Sequence, residues 1–150
     1  MIPTVTDFAV EAGQPDRSAK EKIRALEARM RECEQVEIQT KHHFANGIYA
    51  REITIPAGVV LTGKVHKTQH LNIVSKGRIL IYTEDGLREV VAPCTIVSPP
   101  GTKRVGYALE ETVWTTIHAT TETDVDLIEA ALIEPDQPQI EGKEKPLWLG

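Results

Sequence analysis

Two periodicities divide the chain. From Ser18 to about Glu34, the residues Ala19, Ile23, Leu26, Met30 and Cys33 recur at three- and four-residue intervals. That spacing predicts a helix with one apolar stripe. Ser18 followed by Glu21 forms a capping box at its start. From Val36 to about Thr120 the segments shorten and take on β character. Strands are predicted over 36–40, 47–55, 59–66, 70–75, 78–83, 87–91, 94–98, 104–109 and 112–119. Turn residues separate them: Ala45-Asn46-Gly47, Pro56-Ala57-Gly58, Glu84-Asp85-Gly86 and Pro99-Pro100-Gly101. Asp85-Gly86 between two β-rich runs predicts a hairpin. A second short helix is predicted over about 124–133, with Leu127, Ile128, Ala131 and Leu132 apolar. Short strands at regular spacing make an all-β sandwich or barrel with flanking short helices, and a jelly roll fits the strand count.

The same pattern sets the expected organisation. Residues 1–35 form an arm and helix, 36–133 a barrel with a short C-terminal helix, and 134–150 a tail rich in Pro, Glu and Lys. Pro146-Leu147-Trp148-Leu149 ends the tail as an apolar hook that suits a partner or the barrel itself. At 150 residues and 41% hydrophobic, the chain has enough apolar content for one core. The net charge of -5 argues against binding a nucleic-acid polymer but leaves room for a local cationic pocket. No apolar run approaches a membrane span, and no signal pattern opens the chain. Cys33 and Cys94 form neither a CxxC nor a Cys/His zinc pattern, so reduced thiols and a cytoplasmic location are the expectation. No phosphate-loop or dinucleotide glycine pattern is present, and no nucleophile–base pair has a signature.

Two spacings carry the chemistry. The first runs Gly58-Val-Val-Leu-Thr-Gly-Lys64-Val-His66-Lys-Thr-Gln-His70-Leu-Asn-Ile-Val-Ser-Lys-Gly77. The second runs Pro93-Cys-Thr-Ile-Val-Ser-Pro99-Pro-Gly101-Thr-Lys-Arg104-Val-Gly-Tyr-Ala108. Both match the frames of the two cupin motifs, and the chain resembles the cupin superfamily of small jelly-roll barrels. The runs from His66 to Gly77, Ser98 to Arg104 and Trp114 to Thr120 give a closer resemblance to small single-domain cupin-like proteins of tailed phages and prophages. That likeness would place the protein in a bacterial host cell. The resemblance implies a barrel, usually dimeric, with its pocket inside and four motif residues holding a divalent metal. Carried over, those positions are Lys64, His66, His70 and Arg104. Only the two histidines are ordinary ligands, because protonated lysine and arginine offer no lone pair.

The cationic set points instead to an anion. Arg104 can grip a phosphate or carboxylate through its fork, Lys64 adds a point charge, and His66 and His70 add donors. The competing reading for Lys64 and Arg104 is salt bridging with rim carboxylates. For His66 and His70 it is a pair of satisfied core histidines. A divalent transition metal on His66 and His70, with His118 as a third ligand, is the cofactor this set would suit. Against it stands repulsion by Lys64 and Arg104. Alternation puts Trp114, Thr116 and His118 on one strand face, a mixed set suited to stacking and hydrogen bonding; the other reading of Trp114 is a core aromatic. Tyr49 and Tyr107 are weaker aromatic candidates. His42-His43 point to opposite faces and read as surface histidines.

Three functions follow from different classes. The first is a non-catalytic barrel that binds a small anionic, nucleotide-like ligand; in a phage this would sequester a host nucleotide immune signal. The second is a metal-dependent isomerase, lyase or dioxygenase. The third is a phage structural or assembly protein using the first helix and the Trp148 tail. The apolar helix and open β edges lead us to expect a homodimer or higher homo-oligomer.

Overall fold

In the computed structural model, residues 18–135 are described. The expected arm at 1–17 and the Trp148 hook lie outside the described residues.

Helix α1 (Ala19–Met30) begins with the predicted capping box: Glu21 N–H donates to the Ser18 hydroxyl, and Ser18 N–H donates to the Glu21 carboxylate. It ends before Cys33, shorter than the predicted run to 34. The Gln35 side-chain amide donates to the Met30 and Cys33 carbonyls, so the end of the helix is closed from outside. Nine strands follow: β1 (Gln39–Ala45), β2 (Ile48–Ile55), β3 (Val60–Thr62), β4 (His70–Lys76), β5 (Arg78–Thr83), β6 (Gly86–Val91), β7 (Cys94–Ser98), β8 (Val105–Ala108) and β9 (Thr112–Ala119). Helix α2 (Val125–Leu132) closes the described chain, capped by the Asp124 carboxylate. Among the described residues no helix is long and apolar enough to cross a membrane.

Three boundaries differ from the periodicity. The first strand is later than 36–40, because β1 and β2 fold back around Asn46-Gly47, with Gly47 at φ 79°. The second hairpin turns on Glu84-Asp85, and Gly86 at φ 100° already pairs with Thr83. The predicted strand 59–66 stops at Thr62, so Lys64 and His66 sit in a connecting segment.

The strands form a five-stranded sheet, β1-β2-β9-β4-β7, and a four-stranded sheet, β3-β8-β5-β6, both antiparallel. Their inner faces share a core that includes Ile53, Ile55, Val74, Ile79, Ile81, Ala108 and Trp114. A second core lies outside the smaller sheet, where Ile23, Leu26 and Met30 of α1 pack on Val60, Tyr82 and Val105. The helix stripe therefore covers its own barrel. Gly77, between β4 and β5, has φ 91°, and a Cβ there would stand 2.2 Å from the Glu111 carbonyl oxygen. Only glycine permits that approach.

Candidate functional site

Side-chain alternation on the larger sheet builds the site in rows. Register pairs Tyr49 with His118, and one step past Leu71–Ile117 brings His70 beside His118; His70 pairs with Ser98. The next inward row is Arg51, Thr116, Asn72 and Ile96. The third is Ile53, Trp114, Val74 and Cys94. The barrel interior thus grades from imidazoles, through polar groups, to apolar packing.

The imidazole end is tight. The ring centroids of His66 and His70 are 4.1 Å apart, those of His66 and His118 4.8 Å, and those of His70 and His118 5.1 Å. One nitrogen from each ring lies within 4.8 Å of the others. His66 reaches this cluster because its segment is held on both sides: its backbone bridges Ile133 and its carbonyl accepts from Gly101 N–H. Lys67 N–H donates to the Leu132 carbonyl, which ties the end of α2 to the same segment. His70 Nδ1 lies 3.1 Å from the Thr68 carbonyl, so Nδ1 carries the proton and Nε2 is left as the donor of a lone pair. His66 Nδ1 and His118 Nδ1 are buried without a hydrogen-bond partner. Burial, then the other two imidazoles, then Arg104 and Lys64, hold His66 down to about 3. Burial and His70 hold His118 down to about 4. Burial also lowers His70, against the opposing hydrogen bond to Thr68. All three are therefore neutral near pH 7, the form that ligates a metal. Three neutral imidazoles with two orphaned buried nitrogens are a donor set that fits a divalent transition metal.

The polar floor is a chain of hydrogen bonds. Trp114 Nε1 donates to Asn72 Oδ1 at 3.0 Å, and the Thr116 hydroxyl donates to the same oxygen at 3.2 Å. Indole N–H can only donate, so the orientation of the Asn72 amide is fixed. Asn72 Nδ2 then donates to Ser98 Oγ at 2.8 Å, and Arg104 Nη2 donates to the same oxygen at 2.6 Å. The Arg104 guanidinium lies over the Trp114 ring, 5.2 Å from its centroid. Burial and Arg88 lower Arg104 to about 10, so it stays charged at neutral pH, and its Nε is buried without an acceptor.

A cavity of about 90 Å³ opens over this floor. Lys64, His66, His70, Arg104, Trp114 and Thr116 line it, as do Arg51, Asn72 and Thr102. His118 joins through the imidazole cluster. Tyr107 does not face it. In β8, Gly106 and Ala108 point inward, while Val105 and Tyr107 pack toward α1. Alternation alone excludes it, once the strand's inward face is known. Lys64 is also not a free charge: its ammonium meets the Glu129 carboxylate of α2 at 2.8 Å. That is the salt-bridge reading, realised with a helix the sequence did not connect to it. Arg104 makes no ion pair with a carboxylate among the described residues; its side-chain contacts are Ser98 and Trp114. His42 lies in β1, with Nδ1 2.6 Å from the Tyr49 hydroxyl, and His43 pairs with Glu52 on the opposite face.

Sequence reasoning missed Arg51. Its signal was present: Tyr49, Arg51, Ile53 and Ile55 alternate in β2, so an arginine stands in an otherwise apolar and aromatic inward set.

No family model matches the chain, and no curated protein matches it. Solved structures do. KdgF from Halomonas sp. superposes with a TM-score of 0.50 at 17% identity, over 64% of this chain and 94% of that one. The chain has the cupin fold. Also similar are a cupin-2 domain containing protein from Shewanella frigidimarina (TM-score 0.47, 17% identity, 63% and 91% covered) and an RmlC-like cupin family protein from Methanocaldococcus jannaschii (TM-score 0.48, 12% identity, 56% and 81% covered). At these identities the likeness concerns the barrel. What this cupin barrel binds has to be read from its own side chains.

Proposed function

We propose that this cupin barrel binds a small anionic molecule. One observation carries the reading: Arg104, charged and stacked on Trp114, faces the cavity with Nε buried and no acceptor. A buried unpaired cation is costly, and an anionic ligand supplies the missing partner. The cavity is small, about 90 Å³. That suits a carboxylate or phosphate group on a compact body. A nucleotide would enter phosphate first, with its base toward the mouth. If a tailed phage encodes the chain, as the resemblance implies, sequestration of such a ligand is the role we assign, since it needs binding without turnover.

Isothermal titration of the full chain with inorganic phosphate and short carboxylates tests this. Binding should weaken at least about tenfold in Arg104→Ala, the loss expected for one charge-assisted contact. Unchanged affinity would remove Arg104 from the site.

A specific observation favours a second reading, a metal-dependent cupin. His66, His70 and His118 would hold a divalent transition metal, which supplies Lewis-acid polarisation of a ligand oxygen when bound. The ion pair of Lys64 with Glu129 removes one of the two charges expected to repel it. Metal-stripped protein should take up one zinc or nickel ion per chain, and His118→Ala should weaken uptake by about a hundredfold or more, beyond the effect of losing an outer-shell partner. Uptake that survives His118→Ala would reject the three-histidine centre.

A further inference from the structure

The cavity lining contains three cations, Arg51, Lys64 and Arg104, and no Asp or Glu. Lys64 is matched from outside by Glu129. Arg51 and Arg104 have no carboxylate within ion-pairing distance among the described residues, although the Glu129 carboxylate acts on Arg51 at longer range and opposes the lowering by burial. Arg51 is not an exposed surface residue: it is half-buried on the inward face of β2, and burial lowers its pKa.

The two arginines stand at opposite ends of the polar floor. Arg51 is on β2, Thr116 on β9, Asn72 on β4 and Ser98, which holds Arg104, on β7. Adjacent strands are about 4.8 Å apart, so three strand spacings, about 14 Å measured along the sheet, separate β2 from β7. Side chains reaching inward shorten this span without merging the charges. Arg88, not Arg51, is the cation that perturbs Arg104, as expected for guanidiniums that are not in contact. Between them the floor is neutral and already hydrogen-bonded, and Ile53, Ile55, Leu61 and Ile79 supply apolar lining.

We propose that Arg51 and Arg104 grip the two ends of one short ligand, making the barrel selective for a compact two-headed anion such as a short dicarboxylate. One arginine fork takes each acidic group, and the apolar lining takes the carbon spacer. This rests on the small-anion reading above and adds to it a second recognition residue and a ligand class.

The test is titration of metal-stripped full-length protein at low ionic strength with succinate, malonate, acetate and inorganic phosphate. At least one dicarboxylate should bind about tenfold or more tighter than acetate or phosphate. Arg51→Gln should erase that preference while leaving acetate binding at Arg104 in place. Arg51→Lys, which keeps the charge, should retain part of the preference, and near-ultraviolet circular dichroism confirms that each variant is folded. If acetate or phosphate binds as tightly as the dicarboxylates, or if Arg51→Gln leaves the preference intact, the two-ended clamp is wrong and the small-anion reading stands. If none of the four anions binds the folded protein, both fall.

Discussion

Replacing Lys103 with Met should destabilise the protein by about 3–5 kcal/mol, the loss expected when one partner of a buried ion pair is removed. Lys103 Nζ meets Glu27 Oε1 at 2.6 Å, and both side chains are only 5% exposed. The same ammonium donates to the Gly63 carbonyl at 3.0 Å. In Lys103→Met the Glu27 carboxylate stays buried, and among the described residues Arg31 at 3.6 Å is left to answer it. Urea denaturation should show the loss, and the melting temperature should drop by about 10 °C. The double variant Glu27→Leu/Lys103→Met should recover much of it, because no charge is then stranded. A loss below about 1 kcal/mol would mean that α1 does not cover the barrel in solution. The pair also bears on the site. Lys103 precedes Arg104, and Gly63 precedes Lys64, so the bond ties both pocket segments to the helix. Anion affinity should fall with the single variant and return with the double one.

The metal-free protein should lose several kcal/mol of stability when the pH falls from about 7 to 4, through its histidines. Unfolded, each imidazole takes up a proton near pH 6.5. Folded, His66 stays neutral down to about 3 and His118 down to about 4, because both are buried beside each other and His70. Between about pH 4 and 6.5 the unfolded chain therefore binds more protons than the folded one, and stability rises with pH across that window. The contribution is complete above about 6.5 and fades as the pH drops. Replacing His66 and His118 with Asn should flatten this part of the curve. Denaturation midpoints at several pH values decide it: an equally steep loss in the double variant would place these rings in contact with water. Metal binding should deepen the same dependence, since protons and metal compete for one set of nitrogens.

The legible parts of the site were those fixed by short spacing. His66 and His70 lie four residues apart in a recognisable frame, and Trp114, Thr116 and His118 alternate on one strand; the barrel brings all five to one interior. The orientation of Tyr107 and the carboxylate that pairs with Lys64 were not legible in the strand pattern. A two-residue period says which side chains share a face, not which face is inside. Tyr107 fell on the face that α1 covers, and Lys64 found Glu129, which is 65 residues away in sequence. Arg51 was overlooked because its strand was read for propensity and not for the one charged residue in an inward set.

By itself the sequence determined the local and periodic features: the capped amphipathic helix, the number and approximate limits of the strands, the turns, and a jelly-roll barrel with both motif frames in place. These depend on contacts a few residues apart and on which residues must leave water. Tertiary structure alone decided which cations are matched and which are not, how closely the His118 ring approaches His66 and His70, and that the first helix is locked to the pocket through Glu27 and Lys103. Those outcomes depend on strand order and on burial. An imidazole is held neutral, or an arginine left without a carboxylate, by an arrangement that only the closed barrel creates.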